Sequence, residues 1–172
     1  MPTAKKNLVL LGMMGVGKTT LGRIVAKNQE LEFIDIDSNV EKKNLMTINE
    51  IFKKKGEGFF RIEEEKEVLK SLKKNNSVIA LGGGAFMNKI LRENILKHSI
   101  SVWLDTNVKI LKKRVRWSQK RPLVKGVNAD KKIEEIYNKR KNIYKLADHK
   151  ITCDKLNVND VVEKIIKLYE KY

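Results

Sequence analysis

The sequence predicts an α/β fold with three layers, in which helices cover both faces of a central, mostly five-stranded parallel sheet. Two observations support this prediction. Short β-type runs alternate with amphipathic stretches of helical length, which is the order of successive βαβ units. The chain of 172 residues also fits one domain with a sizeable core. The predicted strands are "NLVLL", "EFIDI", "SVIAL", "SISVWL" and "HKITC".

Helix starts are marked by two pairs with the capping-box spacing, Ser38 with Glu41 and Thr47 with Glu50. In such a box the hydroxyl and the later carboxylate each accept a hydrogen bond from a backbone N–H that the helix leaves unsatisfied. We therefore expect helices to begin directly after Ser38 and after Thr47.

The composition limits the classes of partner. Lys and Arg number 37 against 21 Asp and Glu, a net charge of +16, so a nucleic acid has to be considered. The lysines, however, are scattered among acidic residues without a stripe of aromatic partners, which favours a solvated surface. The apolar runs are too short for a signal sequence or a membrane span. We expect a cytoplasmic protein without a nucleic-acid or membrane partner.

The composition also limits which metal sites and disulfides the chain can form. The lone Cys153 excludes an internal disulfide, and two histidines provide no cluster with zinc spacing. Any metal must then be bound by oxygen. The chain has 30 lysines and only seven arginines, so each arginine is a candidate for a planar fork that binds phosphate or carboxylate.

The segment "GMMGVGKT" matches the phosphate-binding pattern G-x-x-x-x-G-K-[ST] between a predicted strand and a predicted helix. Glycines let backbone N–H groups surround the phosphates, and the helix N-terminus adds positive potential. Lys18 is expected to reach the β- and γ-phosphates, and Thr19 to supply a ligand for Mg²⁺. The expected nucleotide contacts in this loop are Gly12, Gly15, Val16, Gly17, Lys18, Thr19 and Thr20.

Asp35 and Asp37 lie two residues apart at the end of the second predicted strand. In an extended chain both side chains emerge on one face, at the carboxyl edge of the sheet where such folds bind ligands. One carboxylate near Mg²⁺ and one near an acceptor hydroxyl would serve phosphoryl transfer. The alternative is a polar strand end, with Asp37 in a turn and Ser38 as an ordinary helix cap. Both interpretations stay open.

Arg61 is expected in the first turn of a helix that begins after a glycine-rich turn, with Glu64 one turn later on the same side. In a functional interpretation, Glu64 fixes the Arg61 guanidinium so that it meets an anionic substrate. The alternative is a surface ion pair, which contributes less than about 1 kcal/mol. Without context, the pair alone favours this alternative.

Three glycines, Gly82, Gly83 and Gly84, follow the third predicted strand. Because they lack a Cβ, a ligand can approach the backbone closely, and we expect substrate contacts there. The fourth predicted strand ends in Asp105, for which a metal ligand and a helix cap are both open.

The basic stretch "RVRWSQKRPLVKGVNAD" is expected to form a mobile lid at about 115–128. Within it Arg121 would neutralise charge on the transferring phosphoryl group while closure excludes water. Arg114 begins this stretch, two helical turns before Arg121, and Arg140 follows the stretch with Tyr144 at i+4. The alternative for each arginine is a solvated charge.

Taken in order, these motifs resemble those of the shikimate kinases. That family combines a P-loop, a D-x-D strand end, F-R-x-x-E, G-G-G, R-P-L in a lid and R-x-x-x-Y. The counterparts here are Lys18 and Thr19, Asp35 and Asp37, Phe60 to Glu64, Gly82 to Gly84, Arg121 to Leu123, and Arg140 with Tyr144. The resemblance implies a P-loop kinase fold over a single domain, 1–172, with a substrate-binding region at 38–74.

The resemblance also implies an enzyme that transfers the γ-phosphoryl group of ATP to the 3-hydroxyl of shikimate, with Mg²⁺ as the metal. It implies that Asp37 binds the shikimate hydroxyls and takes the proton, and that Asp35 holds Mg²⁺ through water. Arg61 and Arg140 would clamp the substrate carboxylate, and Gly83 would offer a backbone contact.

For the nucleotide, the resemblance implies that Arg121 closes over the phosphates together with Lys18, and that Arg114 lies against the adenine. The family often has N-x-x-N-P in an adenine-contacting loop near the last strand. Here that loop reads "CDKLNVND", in which Asn157 fits and Val158 stands where a proline is expected.

Two other functions stay open on the sequence. A kinase for another small polyol or hydroxy acid, such as gluconate, would share the P-loop and lid without needing Arg61 and Arg140 together. A nucleic-acid-stimulated P-loop ATPase is suggested only by the charge. The guanine-specificity pattern N-K-x-D is missing, which disfavours a GTP switch. We expect a monomer with a small-molecule substrate.

Overall fold

The computed structural model of the chain describes residues 6–116 and 128–172. In chain order its elements are β1 (Asn7–Leu11), α1 (Lys18–Asn28), β2 (Glu32–Asp35), α2 (Ile36–Asn44), α3 (Ile48–Leu72), β3 (Ser77–Ala80), a 3₁₀ helix (Ala85–Met87), α4 (Lys89–His98), β4 (Ser99–Asp105), α5 (Val108–Arg116), α6 (Ala129–Tyr144), β5 (His149–Thr152) and α7 (Val158–Tyr169). Across these two ranges, no helix has both the length and the apolar character needed to cross a membrane.

The five strands form one parallel sheet with the spatial order β2-β3-β1-β4-β5. Every residue of β1, β3 and β4 is buried. Helices cover both faces, since α1 packs against β3 and α7, whereas α4 packs against β4 and α3. The predicted three-layer α/β fold with five parallel strands is confirmed.

The connections that leave β1 and β3 run in opposite directions. The chain goes from β1 through α1 to β2 at one edge, and from β3 through α4 to β4 on the other side of β1. Because β1 and β3 are neighbours, a crevice opens between their carboxyl ends, and open parallel sheets bind ligands at such points. The loops 12–17 and 81–84 therefore flank the expected site.

The start of α2 differs from the prediction. Its N-cap is Asp35, whose Oδ1 accepts a hydrogen bond from the Ser38 N–H at 3.0 Å. Ser38 is therefore not the cap, and Glu41 instead accepts a hydrogen bond from the Ile48 N–H at 2.9 Å. Aspartate caps helices as well as serine does, so α2 begins earlier. Asp37 consequently lies in its first turn and not in an extended strand.

A glycine interrupts the long helix α3. The predicted capping box is confirmed at its start, where Thr47 Oγ1 accepts from the Glu50 N–H and Glu50 accepts from the Thr47 N–H. Gly56 has φ 84° and ψ 166°, outside the helical region, and kinks the helix. Helical geometry resumes at Glu57. Arg61 therefore lies in the second turn of the second half, not in a first turn.

Polar contacts join α2 to α3. Asn39 Nδ2 donates to Glu67 Oε1 at 2.9 Å, and Lys43 Nζ lies 2.8 Å from Glu63 Oε2. Hydrogen bonds from Lys43 and Lys66 lower the pKa of the Glu63 carboxyl to about 2. The carboxylate is thus ionised at neutral pH and holds the two helices in register.

Asn107, and not Asp105, caps α5. The Asn107 side chain accepts a hydrogen bond from the Lys109 N–H at 2.9 Å. The Asp105 carboxylate accepts from the Tyr137 hydroxyl at 3.1 Å and pairs with Lys150 at 2.8 Å. The helix-cap interpretation of Asp105 is therefore wrong, because this carboxylate turns toward α6 and β5.

Leu45 follows α2 in a left-handed backbone conformation (φ 52°, ψ 35°) and is 92 % exposed. This conformation costs an L-residue about 1–2 kcal/mol, whereas glycine adopts it readily. We expect L45G to raise the free energy of unfolding by about 0.5–1 kcal/mol, because relief of strain exceeds the extra chain entropy that glycine loses. Thermal unfolding followed by circular dichroism measures this as a higher Tm.

The matched control for this prediction is N76G. Asn76 has φ 57°, but asparagine tolerates the left-handed region better than leucine does. Its replacement should therefore change the Tm less. An L45G variant no more stable than the wild type would contradict the prediction.

Candidate active site

A cavity of about 500 Å³ opens at the carboxyl edge of the sheet. Its walls are the loop after β1, the β2–α2 junction, α3, the loop after β3 and part of α6. It thus lies where the β1 and β3 connections diverge. The cavity brings together most of the side chains and glycines that the sequence singles out: Gly15, Gly17, Lys18, Thr19, Thr20, Asp35, Asp37, Arg61, Glu64, Gly82, Gly83, Gly84 and Arg140.

The loop after β1 has the form of a phosphate-binding loop. Gly12, Gly15 and Gly17 have φ of 144°, 80° and 102°, values that residues with a Cβ rarely adopt. Lys18 Nζ donates to the carbonyl oxygens of Gly12 and Met13 at 2.9 and 3.0 Å. Its ammonium group therefore lies across the loop, at the N-terminus of α1 where an anion binds.

Gly12 and Val16 belong to this loop but lie outside the cavity lining. A Cβ on Gly12 would collide with the Leu104 carbonyl oxygen, so the loop needs glycine there to pack against β4. Val16 is 3 % exposed with its side chain in the core, and its N–H donates to the Met13 carbonyl oxygen at 3.4 Å. Both residues shape the loop, and their contact with nucleotide stays a prediction.

Thr19 and Asp35 meet at the edge of the cavity. Thr19 Oγ1 donates to Asp35 Oδ2 at 2.7 Å, while Asp35 Oδ1 accepts from the Ser38 N–H. A hydroxyl beside a carboxylate supplies hard oxygen donors, which fit Mg²⁺. Within 6–116 and 128–172 no three His, Cys, Asp or Glu side chains are arranged to hold a metal. The pair therefore suits an ion that keeps several of its waters.

Arg61 and Glu64 form an ion pair in the cavity wall. Arg61 Nη1 lies 2.8 Å from Glu64 Oε2, and Nη2 lies 3.0 Å from Glu57 Oε1. Glu64 is 2 % exposed. Burial raises the pKa of its carboxyl, and the charges of Arg61 and Arg140 oppose that rise. The surface-pair interpretation is wrong, because Glu64 is out of water and holds the guanidinium in one orientation.

Gly82 and Gly84 leave room for charged side chains. A Cβ on Gly82 would lie 2.7 Å from Asp37 Oδ1, and a Cβ on Gly84 would lie 2.6 Å from Arg61 Nη1. The sequence predicted that these glycines admit a ligand, and the atoms that approach them here belong to acidic and basic side chains. Any larger residue would displace the carboxylate or the guanidinium.

Arg140 reaches the same backbone from α6. It is 9 % exposed, and its Nη1 would lie 3.0 Å from a Cβ on Gly83. Tyr144, one helical turn later, is fully buried and donates from its hydroxyl to the Gly83 carbonyl oxygen. The solvated-charge interpretation is wrong for Arg140, because a guanidinium this buried needs polar partners.

Other expected site residues lie apart from the cavity lining. Arg114 Nη1 donates to the Gly15 carbonyl oxygen at 3.4 Å, which places this side chain beside the P-loop. Asn157 caps α7. Arg121, together with the rest of 117–127, lies outside the described residues.

The cavity also has lining residues that, apart from Phe60 of the F-R-x-x-E match, no motif indicated. Ile48, Phe52 and Phe60 form an apolar wall on α3, and the Phe52 and Phe60 ring centroids lie 5.1 Å apart. Arg23 also lines the cavity, with its guanidinium carbon 5.5 Å from the centroid of the Phe33 ring. The available signals were the four-residue spacing of Ile48 and Phe52 and the rarity of arginine in the chain.

The family model described as "Shikimate kinase" matches residues 14–170. Among curated relatives, the shikimate kinase of Sulfurihydrogenibium sp. (strain YO3AOP1) is 37 % identical over 161 residues, which cover 94 % of this chain and 96 % of that protein. The shikimate kinase of Thermodesulfovibrio yellowstonii is 37 % identical over 166 residues, which cover 96 % of each. The resemblance drawn from the motifs is thus confirmed over nearly the full length.

Solved structures agree with this result. Shikimate kinase from Acinetobacter baumannii in complex with shikimate is 33 % identical with a TM-score of 0.93, and the match covers 97 % of this chain and 94 % of that one. The enzyme from Aquifex aeolicus is 30 % identical with a TM-score of 0.83, over 96 % of each chain. A gluconokinase from Sinorhizobium meliloti, 12 % identical with a TM-score of 0.58, shares the fold alone. The chain is a kinase that belongs to the shikimate kinase family.

Proposed function

We propose that this enzyme transfers the γ-phosphoryl group of ATP to the 3-hydroxyl of shikimate, forming shikimate 3-phosphate and ADP. Shikimate kinases use ATP as a substrate. The observation that carries the choice of acceptor is the cluster of Asp37, Arg61, Glu64 and Arg140 around 82–84, which shares one cavity with a P-loop.

The acceptor side suits a molecule with one carboxylate and several hydroxyls. Arg61 and Arg140 carry planar forks that can each bind a carboxylate through two hydrogen bonds. Glu64 holds the Arg61 fork in place. Asp37 accepts hydrogen bonds from hydroxyls and takes the proton of the reacting 3-hydroxyl as general base. The backbone at 82–84 adds a further contact.

The donor side holds the nucleotide phosphates. Backbone N–H groups of the P-loop bind them, and Lys18 exchanges its carbonyl partners for the β- and γ-phosphates. The Thr19 hydroxyl and, through water, the Asp35 carboxylate would hold Mg²⁺. When bound, Mg²⁺ neutralises charge on the phosphates.

Two arginines and one asparagine have further proposed roles on the nucleotide side. We propose that the segment 115–128 closes as a lid, brings Arg121 to the phosphates and excludes water that would otherwise compete as acceptor. Arg114, beside the P-loop, and Asn157, at the start of α7, are proposed to contact the adenine. Such a site acts by positioning and charge neutralisation, because the transition state is loose.

We also propose that the chain is a single domain, 1–172, with a substrate-binding region at 38–74, and that it works as a cytoplasmic monomer. Both halves of the cavity come from one chain, so the proposed site needs no residue from a second copy. Several lysines pair with acidic side chains on the surface, for example at Glu32 and Glu134. This supports a solvated basic surface without a nucleic-acid or membrane partner.

The proposal is tested by ADP release in a coupled assay that contains ATP and Mg²⁺, with and without shikimate. We expect ADP release to depend on shikimate, and phosphorus NMR of the product to show a phosphate ester at the 3-hydroxyl. Gluconate at the same concentrations is the control acceptor and should leave the rate at background. Equal ADP release with and without shikimate, or a higher rate with gluconate, would overturn the proposal.

R61A should raise the KM for shikimate about 10- to 100-fold, since a hydrogen bond to a charged group contributes about 1.5–3 kcal/mol. The KM for ATP should stay near the wild-type value, because Arg61 lies on the acceptor side. K54A is the matched control, as Lys54 is an exposed, ion-paired cation of the same helix, and should alter neither KM. Parallel rises of both KM values in R61A would contradict the assignment.

A further inference from the structure

Tyr144 ends α6 and is 1 % exposed. Its ring packs on Trp103 of β4 with the ring centroids 5.9 Å apart, and its hydroxyl donates to the Gly83 carbonyl oxygen. A phenylalanine ring would fill this part of the core equally well, and a buried hydroxyl needs a hydrogen-bond partner. Packing alone therefore does not explain why this residue carries a hydroxyl.

The hydroxyl lies between two walls of the cavity. Gly83 belongs to the wall that follows β3, whereas Arg140 belongs to α6, one turn before Tyr144. The positive charge of Arg140 acts on the Tyr144 hydroxyl, and Arg140 Nη1 would lie 3.0 Å from a Cβ on Gly83. The Tyr144 hydroxyl and the Arg140 guanidinium therefore lie against the same residue, Gly83.

Gly83 also lies close to the P-loop, which forms the nucleotide side of the cavity. A Cβ on Gly83 would lie 3.7 Å from both the Gly12 carbonyl oxygen and the Met14 nitrogen of the P-loop. Gly83 is therefore a contact point between the P-loop and Arg140. Small displacements of a positioning group lower the rate or the affinity of a reaction that depends on alignment.

The Tyr144 phenol is neutral at neutral pH. Burial raises its pKa, and the positive charge of Arg140 opposes that rise only in part. A neutral phenol has one proton to donate and lone pairs that accept. The proton is donated to Gly83, and the lone pairs stay available to the positive charge of Arg140.

We infer that the Tyr144 hydroxyl is a positioning group for the acceptor, because it sets the place of the Arg140 guanidinium relative to the backbone at 82–84. It thereby determines how well the acceptor carboxylate fits against Arg140. This inference rests on the proposed function, in which that acceptor is shikimate.

Y144F tests the inference, because it removes only the hydroxyl. We expect the KM for shikimate to rise about tenfold, equivalent to about 1.4 kcal/mol, with the KM for ATP and kcat near wild type. Y169F is the matched control, since Tyr169 is 2 % exposed and its hydroxyl also donates to a backbone carbonyl, that of Lys6, at 3.0 Å. It should lose some thermal stability and keep both KM values.

A role in packing alone predicts a lower Tm for both tyrosine variants and an unchanged shikimate KM, and that result would overturn the inference. A double-mutant cycle with R140K gives a second readout. If the hydroxyl acts through Arg140, the two substitutions change the shikimate KM by less than the product of their separate effects. Independent, multiplicative effects would also overturn the inference.

The experiment also distinguishes an unfolded Y144F variant from a failure of the proposed function. If Y144F is unfolded at the assay temperature, the same constants are measured with Y144F in the L45G background. A wild-type enzyme whose ADP release is independent of shikimate would overturn the proposed function. A shikimate-dependent wild type with an unaffected Y144F would overturn only the role of Tyr144.

Discussion

Replacing Asp37 by asparagine is expected to lower kcat by about 10²- to 10⁴-fold, the range that loss of a general base produces. Asparagine keeps the shape of the side chain but cannot take the proton of the reacting hydroxyl. Asp37 lies in the first turn of α2 and lines the cavity beside Gly82. The KM for ATP should stay near wild type, because the P-loop is unaltered. Steady-state kinetics with each substrate varied in turn measure both constants.

D160N is the matched control for D37N. Asp160 also lies in the first turn of a helix, α7, and outside the cavity lining. The substitution removes the same charge from a similar position, so its kcat should equal that of the wild type. A D37N enzyme whose kcat lies within about tenfold of wild type, less than about 1.4 kcal/mol in activation free energy, would show that another group takes the proton.

G82A should impair acceptor binding more than the size of one methyl group suggests. The added Cβ would lie 2.7 Å from Asp37 Oδ1 and would collide with the carboxylate of Glu64. Glu64 cannot move far, because it is buried and pairs with Arg61 at 2.8 Å. Overpacking costs about 1–3 kcal/mol, so the KM for shikimate should rise about 5- to 100-fold. The Tm should fall as well.

G58A in α3 is the control for this substitution. A Cβ on Gly58 meets no atom of the described residues within 4 Å, and alanine is more favourable than glycine in a helix by about 1 kcal/mol. G58A should therefore raise the Tm slightly and keep the shikimate KM. A wild-type shikimate KM in G82A, or an equal loss in G58A, would show that the crowding at Gly82 has no effect on the acceptor.

The order of strands and helices follows from local patterns. Each of the five strands begins at the first residue of its predicted β-type segment, because alternation of β-type and amphipathic segments is set within a few residues. The P-loop is equally local. Gly17, Lys18 and Thr19 are consecutive, and the geometry of the loop follows from the freedom of its own glycines.

The sequence alone does not decide between two neighbouring candidates for the cap of α2. Asp35 and Ser38 are both good helix caps, and spacing does not rank them. The structure favours Asp35, because β2 ends there and its second carboxylate oxygen meets Thr19. In the same way, the spacing of Arg61 and Glu64 is identical for an exposed and a buried pair. Tertiary packing, which brings Gly82 against Glu64, decides that this pair is buried.

Short-range patterns thus establish the fold class, the donor loop and a set of candidate acceptor residues. Whether those candidates form one site depended on tertiary structure. Asp37, Arg61 and Arg140 lie on three different helices and converge on 82–84 because the order of the parallel strands places those elements around one crevice. No local pattern encodes the distances between side chains so far apart in the chain, since those distances arise only when the sheet and its covering helices pack.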